Sequence, residues 1–112
     1  MEKIKIIRQG DVIVVPFNSE IAKQIVGDVG IRDEWFTNEK IVIHGEEHDH
    51  VLEGNYRSYK AGEDFWIADV DEAELKHPEH GKVKLSKGIY IIMRIFDWLT
   101  RVLRFGQTRI RD

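Results

Sequence analysis

The sequence contains no cysteine and only two prolines, and asparagine and glutamine are scarce. The lack of cysteine excludes disulfide bonds, thiolate catalysis and every zinc or iron–sulfur site that depends on cysteine. Any metal site in this chain must therefore be built from imidazole and carboxylate groups. The same composition is rich in lysine, glutamate and isoleucine, which is typical of hyperthermophilic proteins and predicts a thermophilic source.

A long hydrophobic run is also missing. The longest apolar stretch, at residues 89–93, is far too short to span a bilayer. Residues 1–8 alternate charged and apolar side chains, unlike the continuous apolar region of a signal peptide. We therefore expect a cytoplasmic protein without a membrane-spanning segment.

Size and composition indicate one domain. The chain has 112 residues, of which 42% are hydrophobic and 33% are charged, as in an ordinary globular protein of this length. It contains no repeat, low-complexity tract or linker. We predict that residues 1–112 form a single β-rich domain.

Alternating and β-branched segments dominate the sequence and predict the secondary structure. We expect strands at residues 3–15 with a turn near Gly10, and at residues 40–43, 65–70, 83–85 and 89–96. Asn18 or Ser19 is predicted to cap a short helix that Gly27 and Gly30 end. Residues 71–76 are interpreted as a helical turn or a loop, and residues 97–106 as a helix or a returning hairpin. The predicted fold is mainly β, a small single-domain barrel or sandwich with one or two short helices.

The five histidines all lie between residues 44 and 80, and four of them form two close pairs. His48 and His50 are two residues apart, so on a strand both rings face the same side. Pro78 interrupts the second pair, and a turn there would bring His77 and His80 together. Four imidazoles, or three and a carboxylate, are suitable ligands for a divalent transition metal. We therefore predict a metal site with His48, His50, His77 and His80 as ligands.

The metal of this predicted site is zinc, iron, manganese or nickel, with copper also compatible with imidazole ligands. Glu46, Asp49 and Glu53 are nearby oxygen ligands or partners that could orient a ring. His44 lies outside both pairs and is interpreted as structural. Two other interpretations remain open: exposed histidines that pair loosely with acidic neighbours, and a cluster that responds to pH.

Charge is distributed unevenly along the chain, which suggests a second function. The net charge is −6 over residues 1–87 and +3 over residues 88–112. The basic segment contains Trp98 and Phe105 and the arginines Arg94, Arg101, Arg104, Arg109 and Arg111. Such a segment could contact nucleic acid or a protein partner in a non-catalytic accessory role, although a pI of about 5.9 argues against nucleic acid. The sequence also leaves open the possibility that identical chains form an oligomer.

Sequence motifs do not decide whether the protein is an enzyme. The serines lack a glycine-flanked elbow, and no glycine-rich phosphate loop is present. Nucleophilic catalysis and nucleotide hydrolysis are therefore not predicted. The acidic residues Glu72 and Glu74 are interpreted as a solvated face.

Two resemblances follow from these motifs. Residues 48–54, then 61–67 and His77, resemble in order the two motifs of the cupin superfamily, in which two histidines, a glutamate and a later histidine bind a metal inside a small β-barrel. Over most of its length the chain looks more like a set of small bacterial and phage proteins of unknown activity. Those proteins have an Arg-Gln-Gly-Asp-Val strand, here residues 8–12, and paired-histidine segments, here residues 45–50 and 77–90. This second resemblance implies that the two histidine pairs act as one unit.

Overall fold

The computed structural model describes residues 6–27, 30–45 and 47–100. These residues contain seven strands, one α-helix and one turn of 3₁₀-helix, and residues 95–100 are also helical. In chain order the elements are β1 (Ile7–Gln9), β2 (Val12–Pro16), α1 (Glu20–Val26), the 3₁₀ turn (Asp33–Trp35), β3 (Val42–Ile43), β4 (His50–Gly62), β5 (Phe65–His77), β6 (Gly81–Leu85) and β7 (Gly88–Arg94). No helix of the described residues is long and apolar enough to cross a membrane.

The strands form one antiparallel sheet in the order β1-β2-β7-β5-β4-β3. Strand β6 lies off this path and pairs with the second half of β5, while β7 pairs with the first half. Within the described residues the sheet is open, with β1 and β3 at its edges. The prediction of a mainly β fold with short helices is confirmed, and the open strand order is consistent with a sandwich rather than a closed barrel.

The hydrophobic core lies on both faces of the central strands. Side chains alternate along β2, so Val12 and Val14 join one buried cluster and Ile13 and Val15 join another. The first cluster packs under the β4–β5 hairpin and includes Leu52, Trp66 and Leu75; the second packs against α1 and includes Ala22, Ile25 and Ile91. Burial on both faces explains why β2 and β7 are almost continuous apolar runs.

The β4–β5 hairpin carries one member of each histidine pair, because β4 begins at His50 and β5 ends at His77. Each of its strands has 13 residues, and a register shift between Asn55 and Tyr56 divides the ladder into two halves. Next to this shift Gly54 has a φ of +133°, a backbone conformation that residues other than glycine rarely adopt. The half of the hairpin nearer His50 and His77 pairs with β3 and β6, so these strand ends lie together at one end of the sheet.

Three elements differ from the sequence prediction, and the first is β3, which covers only Val42–Ile43 of the predicted strand at residues 40–43. Residues 71–76 are part of β5, not a helical turn or loop, because Ala73 and Leu75 are buried while Glu72 and Lys76 face outward. Strand β7 ends at Arg94, and the residues after it are helical, so the predicted strand over 89–96 was two residues too long. For residues 97–100 the helical alternative is confirmed. Residues 3–5 and 101–106 lie outside the described residues.

The predicted helix near Ser19 is confirmed. Helix α1 runs from Glu20 to Val26, and the Ser19 hydroxyl accepts a hydrogen bond of 3.1 Å from the backbone N–H of Ala22. Gly27 ends the helix with a φ of +74°.

Candidate metal-binding cleft

Strand register places His50 beside His77. The β4–β5 ladder pairs Val51 with Lys76, so the next residues along the two antiparallel strands are His50 and His77. Their side chains share one face, and the ring centroids are 4.3 Å apart with planes tilted by 36°. The sheet itself therefore brings one member of each histidine pair into contact.

The turn after β5 adds the third ring. Residues 78–80 form the turn between β5 and β6, as Pro78 predicted. The backbone N–H groups of Glu79 and His80 donate hydrogen bonds of 3.1 and 3.2 Å to Nδ1 of His77. These bonds fold the turn back so that the His80 ring lies 4.6 Å from the His77 ring.

The fourth histidine approaches from the loop before β4. Because β4 begins only at His50, His48 lies in a bend and not on a strand face, and the argument from strand alternation was wrong for this residue. His48 is exposed, whereas His50 is fully buried. The His48 ring is nevertheless 6.0 Å from His77, edge to face. The structure thus brings all four predicted histidines into one group.

The turn between β1 and β2 forms the opposite wall. Gly10 has a φ of +59°, and a Cβ on Gly10 would lie only 2.6 Å from Cδ2 of His80. Between this turn and the histidines lies an open cavity of about 670 Å³. It is lined by Arg8, Gly10, Asp11, Glu47, His48, His77, Glu79 and His80. We call it the histidine cleft.

One set of side chains in the cleft has the spacing of a metal site. A ligand atom from each of Glu47, His48 and Glu79 lies within 4.8 Å of the other two. Nε2 of His48 is 3.4 Å from Oε1 of Glu79. Only His48 of this set was predicted as a ligand.

Two of the remaining predicted histidines, His50 and His77, have other partners on the ring nitrogens. His50 places Nδ1 2.8 Å from Oε1 of Gln9 and Nε2 2.9 Å from Oδ1 of Asp11. The lone pair of Nδ1 in His77 is taken by the backbone of the turn, so the proton of the neutral ring lies on Nε2. His80 packs against Gly10 and keeps its ring in the cleft.

The acidic residues named from the sequence are engaged elsewhere. Glu53 lies 3.0 Å from Nζ of Lys76, and this contact lowers the pKa of Glu53. Asp49 lies 3.1 Å from Nδ1 of His44. Glu46 is outside the described residues.

Burial dominates the electrostatics of the innermost histidine. It lowers the pKa of His50, although the hydrogen bond to Asp11 acts in the opposite direction. Partial burial acts to raise the pKa of Asp11, but the hydrogen bond from His50 and the charges of His50 and Arg94 outweigh it, so the pKa is lowered.

Sequence analysis missed three residues that line the cleft, Asp11, Glu47 and Glu79, and Gln9, which contacts His50 behind it. Gln9 carried a usable signal, since strand alternation from Ile7 places it on the same inward face, where it is 2% exposed. The only local signal for Asp11 was its position after the turn glycine Gly10, and this does not indicate a contact with His50. Glu47 and Glu79 each stand next to a predicted histidine, and nothing local separates them from other surface glutamates.

Comparison with known proteins identifies the family. Residues 8–95 match the family model described as a domain of unknown function, DUF8820. This match covers most of the chain, so the protein belongs to that family, which confirms its resemblance to small proteins of unknown activity. No curated protein matches the chain. No solved structure matches it either.

Replacing Gly10 by alanine tests the close packing of the β1–β2 turn against His80. The Cβ would meet the His80 ring and would force a left-handed φ on alanine, so we expect a loss of about 1–3 kcal/mol in the free energy of unfolding. Denaturant unfolding measures the loss. Gly30→Ala is the control, because a Cβ there meets no atom within 4 Å. Equal stability of the two variants would contradict the packing.

Acidification tests the lowered pKa of His50. In the metal-free protein the unfolded chain gains a proton on this residue near its ordinary pKa of 6.5, while the folded chain resists it. Since the folded-state pKa is the lower one, this contribution to stability is complete above that value and is lost as the pH falls below it. We expect the urea midpoint to fall between about pH 7.5 and about pH 5.5. His44→Ala should keep this fall, and a midpoint that rises on acidification would contradict it.

Proposed function

For this member of the DUF8820 family, we propose that it binds a divalent transition metal ion in the histidine cleft, with Glu47, His48 and Glu79 as protein ligands. The observation that carries the proposal is the mutual approach of their three ligand atoms within 4.8 Å. Ions such as zinc hold nitrogen and oxygen ligands at about 2.0–2.2 Å, so ligand atoms of one ion lie within this spacing.

Charge supports the same assignment. Glu47 and Glu79 are two carboxylates at one place, and within the described part of the chain neither has a lysine or arginine within ion-pair distance. Like charges so close repel each other. A divalent cation would relieve that repulsion and would also use the lone pair of the His48 imidazole.

The ligand set suggests which ions fit. Two carboxylate oxygens and one imidazole nitrogen suit zinc, iron and manganese, while nickel also accepts this combination. Three protein ligands leave coordination positions open, as in sites where water or a small molecule joins the ion. The cleft, at about 670 Å³, has room for such a molecule.

The other functional predictions from the sequence concern location, source and partners, and they stay predictions. A cytoplasmic location, a thermophilic source and the cupin-like character stay predictions. So does a non-catalytic accessory role for the arginine-rich segment, because Arg101, Arg104, Arg109 and Arg111 lie outside the described residues. Metal binding is the function that the described geometry supports best.

Metal titration of protein purified without a histidine tag tests the proposal. We expect zinc or manganese to bind by calorimetry and to raise the thermal midpoint, since an ion that binds only the folded state stabilises it. His48→Ala and Glu79→Gln should each weaken the affinity by at least about tenfold, because each removes a ligand.

His44→Ala is the matched control. It removes a histidine that is also exposed and also bonded to a carboxylate, but that lies outside the cluster. Its metal affinity should equal that of the wild type. The proposal fails if the wild type binds no ion, or if His44→Ala and His48→Ala weaken binding equally.

A further inference from the structure

Arg8 lines the histidine cleft without an ionic partner. It belongs to β1, is exposed, and borders the same cavity as Asp11, Glu47 and Glu79. Among the described residues, no carboxylate lies within ion-pair distance of its guanidinium. The cleft therefore contains a positive charge that no described acidic group offsets by direct contact.

The guanidinium of Arg8 is held in place by the β1–β2 turn. Its Nε donates a hydrogen bond of 2.8 Å to the backbone carbonyl of Gly10. Gly10 packs closely against the ring of His80, so this bond ties the arginine to one wall of the cleft. Within the described part of the chain, the terminal nitrogens Nη1 and Nη2 of Arg8 make no hydrogen bond or ion pair. Their N–H groups form a rigid fork of donors that suits a carboxylate.

The acidic side chains of the cleft have other partners than Arg8. Asp11 lies 2.9 Å from Nε2 of His50 and 3.9 Å from Nη2 of Arg94. The other two acidic residues of the cleft belong to the proposed metal site on the facing wall. An ion at that site would use their negative charges, so the charge of Arg8 stays available to a ligand.

We propose that the histidine cleft binds a small dicarboxylate, with one carboxylate on Arg8 and the other on the metal ion of the proposed site. The inference rests on the proposed function, because the ion supplies the second anchor. Three protein ligands leave coordination positions open, and carboxylate oxygens suit the ions that fit the site. The cavity of about 670 Å³ is in the size range of small-molecule sites.

The positions of the two anchors select a ligand with two anionic ends. Arg8 is tied to the wall formed by the β1–β2 turn, whereas Glu47, His48 and Glu79 would hold the ion at the other wall. A ligand that uses both anchors at once needs an anionic group at each end, with a carbon chain between them. Without the ion, the two glutamates would repel the second carboxylate, so binding of the dicarboxylate should require the metal.

Calorimetric titration of the zinc-loaded protein with malonate, succinate and glutarate tests the proposal. These dicarboxylates differ only in the number of methylene groups, so together they measure the span between the two anchors. We expect at least one of them to bind about tenfold more tightly than acetate, because a second charge-assisted contact adds to the first. Elemental analysis after each titration confirms that the ligand has not removed the zinc. The zinc-free protein should show no such preference.

Substitutions of Arg8 separate its charge from its geometry. In zinc-loaded Arg8→Gln the affinity for the preferred dicarboxylate should fall by about tenfold, to that of acetate. Arg8→Lys keeps the charge but loses the fork and the Nε bond to Gly10, so it should restore only part of the affinity. Arg32→Gln is the matched control, because Arg32 is also exposed but does not line the cleft, and this variant should bind like the wild type.

Zinc binding and dicarboxylate binding are separate readouts, so the two proposals can fail separately. If the wild type takes up zinc but binds all three dicarboxylates no more tightly than acetate, the dicarboxylate is refuted and the metal site stands. The dicarboxylate is also refuted if Arg8→Gln, or the zinc-free protein, binds it as tightly as the zinc-loaded wild type. If the wild type takes up no zinc, both proposals fail.

Discussion

The arrangement of the cleft depends on the side chain of Gln9. Its amide joins four strands: Gln9 belongs to β1, its nitrogen donates to carbonyls on β5 and β6, and its oxygen accepts from His50 on β4. The bonds to Leu75 and His50 are buried, so removal of the amide would leave polar groups without partners, at about 1–3 kcal/mol for each. The same amide holds the edge strand β1 beside β6 and fixes the proton of His50.

Long-range pairing then places the other groups around this fixed point. Antiparallel register sets His50 beside His77, and the turn after His77 returns His80 against Gly10. Three connections meet at this end of the sheet: the β1–β2 turn, the loop before β4 and the β5–β6 turn. These three connections supply most of the side chains that line the histidine cleft.

The sequence predicted the strands more successfully than the site. Alternation located β2, β6 and most of β7, because a buried face leaves a period of two in the pattern. It failed at residues 71–76, where acidic residues on the outward face hid the buried Ala73 and Leu75. The proximity of the histidine pairs was predicted and is confirmed, whereas Asp11 and Glu79 were missed: Asp11 contacts a residue 39 positions away, and no local pattern encodes such a contact.

The proposed binding of metal in the histidine cleft by Glu47, His48 and Glu79 can be observed by anomalous diffraction. A crystal of the tag-free protein soaked in zinc is measured on both sides of the zinc absorption edge. We expect an anomalous peak within about 2.2 Å of a ligand atom from each of these three residues. A map of the zinc-soaked crystal with no peak in the cleft, or with peaks only at surface histidines such as His44, would contradict it.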